Sequence, residues 1–292
     1  MGVECTQRLE GGSRECHNRH MIQNKLSAKW SDLLPRVLSA IVMAAIAVVD
    51  IAMGNPYYLI MIAVVIGLCV GEFARLLQPD DQSTYVALGV LAAASVVFGT
   101  YGFDGGDFLR DFISYRTLEL FIPPIIGTIL IKQHKALFFG YCLLIMLAGY
   151  GFMALGPSVL LIWFILIIIV SDVAGYFVGR IVGGPKFWPR VSPKKTWSGT
   201  VAGWVGALLV GLVAAYQGVF TPTEALFAPL IAFAGQMGDI IESAIKRKIG
   251  VKDSSHLIPG HGGVLDRFDA MIGAAGALMI LSGISALFFV AG

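Results

Sequence analysis

The chain has 292 residues, of which 57% are hydrophobic and 14% charged, with a mean hydropathy of +0.77 and a formal net charge of +2. Soluble globular domains carry about 25% charged residues, so this composition excludes that class and points to an all-α, polytopic membrane protein. The charge is near balance and mixed in sign, and no nucleic-acid partner is expected.

Residues 1–33 are polar, lack an apolar core and contain no cleavable signal pattern, so they are read as a cytoplasmic N-terminal tail. Residues 34–292 form a single integral membrane domain, without an internal repeat or low-complexity linker. Cys5 and Cys16 lie in the tail, and Cys69 and Cys142 in apolar segments. With no C-x-x-C pair, neither a zinc site nor a disulfide framework is indicated.

Nine apolar segments follow, at residues 37–53, 57–77, 85–101, 118–131, 136–152, 159–178, 200–216, 225–245 and 271–290. A spanning helix needs roughly 20 apolar residues, and the shorter segments require tilt or local thinning of the bilayer. Segment 118–131, interrupted by Pro123 and Pro124, is the weakest of them. Threading nine spans with the N-terminus inside places every Lys and Arg except Arg110 and Arg116 on the cytoplasmic side, as the positive-inside rule requires.

Two cytoplasmic loops stand out. One, residues 180–198, contains the run Ser192-Pro193-Lys194-Lys195-Thr196-Trp197. The other belongs to the charged stretch 239–269, D-I-I-E-S-A-I-K-R-K-I-G-V-K-D-S-S-H-L-I-P-G-H-G-G-V-L-D-R-F-D. Charges beside apolar helices are costly unless they meet water, each other, a metal or a charged ligand.

On a helix, Asp239, Glu242, Ser243 and Lys246 form one polar stripe. Asp266 and Asp269 open the last span, where capping of that helix is the competing explanation. With Asp172 these carboxylates gather near one membrane face, and such hard oxygen donors suit Mg²⁺. Lys194, Lys195, Lys246, Arg247, Lys252 and Arg267 are cations suited to phosphate, although topology alone accounts for many bases on this side. The turn containing Gly262 and Gly263 lets backbone N–H groups approach an anion; His261 binds phosphate, transfers a proton or holds the turn. Neither a P-loop nor a dinucleotide fingerprint is present.

At these residues the sequence resembles the phosphatidate cytidylyltransferases (CDP-diacylglycerol synthases). Their C-terminal signature is matched at Ser243, Lys246, Arg247, Lys252, Asp253, Pro259, His261, Gly262, Gly263, Asp266, Arg267 and Asp269. Similarity extends upstream to Gly238-Asp239, to Ser171-Asp172 with Tyr176, Gly179 and Arg180, and to the run from Ser192. It is weaker around residues 34–40 and 72–77. Ser198 stands where the family usually has Glu, and Ala202 where Gly is expected.

The resemblance implies transfer of CMP from CTP to phosphatidic acid, giving CDP-diacylglycerol and pyrophosphate for phospholipid synthesis, with Mg²⁺ required. It points to Asp239 and Asp266 as metal ligands, with Asp239, Asp266, Asp269, Lys195 and Arg267 in the catalytic group. Ser192, Lys194, Lys246, Arg247, Lys252, His261, Gly262 and Gly263 are assigned to substrate. The site is expected at the cytoplasmic ends of the helices, in the plasma membrane if the source is bacterial, and homodimerisation is a family-level expectation. The competing readings are a related CTP-dependent enzyme acting on another lipid, an ion-coupled transporter using Asp172 and Asp239, and an inactive lipid-binding relative.

Overall fold

The computed structural model describes residues 33–100, 115–255, 257–258 and 262–290. The tail expected at the N-terminus lies outside all of these except its last residue. The helices are α1 (Leu33–Met53), α2 (Tyr57–Leu77), α3 (Gln82–Thr100), a 3-10 helix (Tyr115–Phe121), α4 (Ile122–Leu130), α5 (Lys135–Leu155), α6 (Val159–Ile181), α7 (Trp197–Tyr216), α8 (Pro222–Ala225), α9 (Ala228–Ile249) and α10 (Leu265–Val290). Among the described residues, six stretches, namely α2, α3, α5, α6, α7 and the run Pro222–Ile249, are long and apolar enough to cross a membrane, the build of a polytopic membrane protein. Their outward faces carry exposed apolar side chains such as Val90, Ile169 and Leu209.

The fold is not wholly helical. Within the loop after α6, β1 (Lys186–Trp188) and β2 (Ser192–Thr196) pair antiparallel, with Lys186 opposite Thr196 and Trp188 opposite Ser192. Pro185, Pro189 and Pro193 recur every four residues here, and proline denies a helix its N–H while pushing the preceding residue toward extended backbone. The Phe187 and Trp197 rings meet at 4.7 Å and seat the hairpin on the start of α7.

Segment 118–131 divides into the end of the 3-10 helix and α4, because Pro123 and Pro124 start the second helix instead of breaking one long span. The expected 225–245 span continues to Ile249, where Gly250 ends it at φ 86°, a backbone that glycine adopts freely. The last helix begins at Leu265, not at 271, so Asp266 and Asp269 lie in its opening turns.

Glycines set the closest helix crossings. A β-carbon on Gly67 of α2 would lie 2.7 Å from the Gly89 carbonyl oxygen of α3, and one on Gly175 of α6 3.1 Å from that of Gly199 of α7. In lipid, helices gain little from hydrophobic exclusion, so small residues that bring backbones into van der Waals contact hold them together. Helix α5 sits between α2 and α10, α10 packs on α9, and α9 packs on α7. The main core lies where α2 meets α5: Phe73 stacks on Phe138 at 5.5 Å and meets the Tyr141 edge at 4.9 Å.

Candidate active site

The site is assembled where α9 crosses α10. A β-carbon on Gly238 would strike the Asp269 carbonyl oxygen and come within 2.8 Å of the Gly273 Cα, so only glycine permits this crossing. The contact brings Asp269 of α10 beside Asp239 and Glu242 of α9, and one carboxylate oxygen from each lies within 4.8 Å of the others. Ser243, one turn beyond Asp239, donates its hydroxyl to Asp239 Oδ1 at 3.3 Å.

Three carboxylates at such spacing repel one another and lose hydration, so they require cations nearby. Two lysines supply part of that charge. Lys195 Nζ, from β2, is 2.5 Å from Asp239 Oδ2 and donates to the Gln236 carbonyl at 3.5 Å. Lys246 Nζ lies 2.5 Å from Glu242 Oε2 and 2.7 Å from Asp266 Oδ1, bridging α9 to the first turn of α10. Glu242 is 1% exposed, yet its Oε1 has no hydrogen-bond partner among the described residues. A buried carboxyl oxygen without a donor, beside two further carboxylates, fits a hard divalent cation such as Mg²⁺.

Beside this cluster opens a cavity of 760 Å³, lined by Asp172, Tyr176 and Arg180 of α6, Lys194 and Lys195 of β2, and Gln236 and Asp239 of α9. Gln236 pins the surrounding helices. Its amide nitrogen donates to Ser171 Oγ at 3.3 Å and to the Thr200 carbonyl at 3.4 Å, while its carbonyl accepts from Trp204 Nε1 at 3.1 Å. The cavity thus joins a mixed-charge lining to the carboxylate cluster at its α9 wall.

The structure places the sequence candidates unequally. Lys194 and Lys195 line the cavity, and Ser192 opens the strand that carries them. Arg247, Lys252 and Arg267 are exposed. Lys246 is committed to Glu242 and Asp266. Asp266 also accepts at Oδ2 from the N–H groups of Ser254 at 2.9 Å and Gly263 at 2.8 Å, and stands outside the three-oxygen cluster. The Gly263 N–H expected to meet an anion therefore meets this carboxylate. Gly262, at φ 83°, bridges to Ile258; His261 lies outside the described residues. Ser198, where the family usually has Glu, donates to the Gly183 carbonyl, while Asp239 and Gln236 hold Lys195.

Sequence reasoning counted Glu242 among the carboxylates that suit Mg²⁺ without naming it a ligand or catalytic residue, and did not single out Gln236. Glu242 carries a visible signal, a carboxylate in an apolar helix one turn after Asp239; Gln236, uncharged, carries none.

A profile described as the cytidylyltransferase family matches residues 34–285. The chain belongs to this cytidylyltransferase family. Among relatives named phosphatidate cytidylyltransferase, that of Brucella suis biovar 1 (strain 1330) is 47% identical over 131 residues, covering 41% of this chain and 47% of the relative. That of Staphylococcus saprophyticus is 34% identical over 207 residues, 66% of this chain and 78% of the relative. That of Helicobacter pylori (strain ATCC 700392 / 26695) is 37% identical over 145 residues, 46% of this chain and 53% of the relative. The match to the Brucella and Helicobacter members spans about half of their length. In this cytidylyltransferase-family chain the carboxylate cluster, both lysines and the cavity all fall within the matched region.

Proposed function

We propose that this protein transfers CMP from CTP to phosphatidic acid, releasing pyrophosphate and forming CDP-diacylglycerol for phospholipid synthesis. The observation that carries the reading is the set of Asp239, Glu242 and Asp269 oxygens within 4.8 Å, flanked by Lys195 and Lys246, with Asp239 lining the 760 Å³ cavity. Membership of the cytidylyltransferase family and the names of the relatives support it.

In this mechanism a phosphatidate oxygen attacks the α-phosphorus of CTP, the new P–O bond forms, and the bond to the β-phosphate oxygen breaks with its electron pair leaving on pyrophosphate. A phosphate monoester is largely ionised near neutral pH, so no strong protein base is needed. Lys194 and Lys195 contact the nucleotide phosphates and offset charge growing on the leaving group, which fixed cations in a water-poor site do without reorganising. Arg247, Lys252 and Arg267 draw anionic substrates to the same end of the bundle. Asp239, Glu242 and Asp269 would hold Mg²⁺, with Asp266 aligned through Lys246. A bound Mg²⁺ supplies Lewis-acid polarisation of phosphoryl oxygens.

The six spans, together with α1, α10 and the short apolar run Leu118–Leu130, make up the nine crossings of the proposed topology, with the N-terminus and the site cytoplasmic. CTP then arrives from the cytosol while the lipid's acyl chains remain in the bilayer. Homodimerisation is carried by the family resemblance alone.

The test is pyrophosphate release by the purified protein in detergent with CTP, phosphatidic acid and Mg²⁺, run beside Asp239→Asn. Loss of at least about 100-fold in rate in the variant, and no turnover when ATP replaces CTP, is the expected result. Absence of CTP turnover with every lipid tried would overturn the reading.

A further inference from the structure

Glu72 lies in α2, far in sequence from the site, and is only 7% exposed. Four donors converge on its carboxylate. Ser255 Oγ at 2.6 Å and the Val264 N–H at 3.1 Å reach Oε1, and the Leu265 N–H at 2.9 Å and Ser254 Oγ at 3.2 Å reach Oε2. Three belong to the connection from α9 to α10, and Leu265 is the first residue of α10. The first N–H groups of a helix lack partners within it, and a carboxylate at that end also meets the positive pole of the helix dipole. Glu72 therefore caps α10 from a neighbouring helix. A β-carbon on Gly263 would lie 2.5 Å from Glu72 Oε2 and closer still to Ser254 Oγ, so glycine leaves the room this capping needs.

The Ser254 hydroxyl stands 3.2 Å from Glu72 Oε2 and 2.9 Å from Asp266 Oδ2. It has one proton to donate, so the two carboxylates compete for it. The Ser254 N–H goes to Asp266, Asp266 accepts from Lys246, and Lys246 pairs with Glu242 of the three-oxygen cluster. A continuous set of polar contacts thus runs from α2 to the cluster.

We propose that Glu72 is a positioning residue. Its carboxylate holds Ser254 and Ser255 against Val264 and the first turn of α10, and through Ser254, Asp266 and Lys246 it fixes how Glu242 faces the site. The assignment of a catalytic consequence rests on the nucleotidyl-transfer reading.

Glu72→Gln keeps the side chain's size but turns an NH₂ toward groups that need acceptors. Hydrogen exchange followed by mass spectrometry is expected to show about tenfold faster exchange in a peptide spanning residues 262–268, with α6 and α7 unchanged. In the CTP assay kcat falls and the KM for CTP or phosphatidic acid rises at least about threefold, whereas a mere loss of folded protein lowers kcat alone. If Glu72→Gln does not fold, Ser255→Ala removes one donor, leaves the carboxylate in place and is expected to show a smaller acceleration confined to the same peptide. Wild-type exchange at 262–268, acceleration spread evenly over all helices, or a lowered kcat with unchanged KM would overturn the proposal. If the wild-type protein turns over no CTP, the transfer reading falls, and the exchange comparison still decides whether Glu72 holds the segment.

Discussion

Lys246 serves two carboxylates at once, Glu242 and Asp266, whose side chains are 1% and 6% exposed. Removing one partner of a buried ion pair leaves charge uncompensated and costs about 3–5 kcal/mol, more than an exposed pair contributes. Lys246→Met is therefore expected to lower the thermal midpoint in detergent strongly. Adding Glu242→Gln, which replaces one orphaned charge with a neutral group of the same shape, is expected to recover part of the loss. Equal midpoints for wild type and Lys246→Met would show that water or ions reach this cluster freely. Lys195, 26% exposed beside a 34% exposed Asp239, is more open to solvent than Lys246 and is better placed to exchange its carboxylate for a phosphate.

At the scale of elements, the crossing of α9 and α10 decides whether the three carboxylates meet. Gly238 and Gly273 touch there, and each would place a β-carbon against the other's backbone. Overpacking such a contact costs about 1–3 kcal/mol. Gly238→Ala is expected to keep the fold, lower the thermal midpoint modestly and reduce pyrophosphate release far more than stability, because it moves Asp269 away from Asp239 and Glu242. A proportionate loss of both would mean that the crossing acts on stability alone. The β hairpin has a parallel role: it projects Lys194 and Lys195 over the cavity, and its seat on Trp197 ties that projection to the start of α7.

For the whole molecule, the proposed topology puts the hairpin and the α7–α8 turn on opposite sides of the membrane. With the native cysteines replaced, Lys194→Cys is expected to react with an impermeant maleimide in inverted vesicles only, and Gln217→Cys in right-side-out vesicles only. Labelling of both from the same side would remove the nine-span threading. On the proposed CTP-and-phosphatidate reading, a site at one end of the bundle serves both substrates: a charged nucleotide cannot enter hydrocarbon, and the lipid's chains cannot leave it.

Composition and charge placement alone determined that this is a helical, multi-pass chain with its charges gathered in polar stretches between apolar ones, because the bilayer constrains length and hydropathy residue by residue. The stripe Asp239, Glu242, Ser243 and Lys246 was legible for the same local reason, helical periodicity. Partner choice was not local. That Asp269 joins Asp239 and Glu242 while Asp266 goes to Lys246, Ser254 and Gly263 depends on how α9 and α10 cross at two glycines. Likewise, the run Ser192 to Trp197 marked a cytoplasmic loop in the sequence, but only the pairing of β1 with β2 and the packing of Phe187 on Trp197 decided where its lysines lie. Glu72 figured in the sequence only as the start of the weakly similar stretch 72–77; its four donors are supplied by the chain 182 to 193 residues later. Hydrogen bonds between such distant segments are fixed by the docking of helices, and no spacing along the chain encodes them.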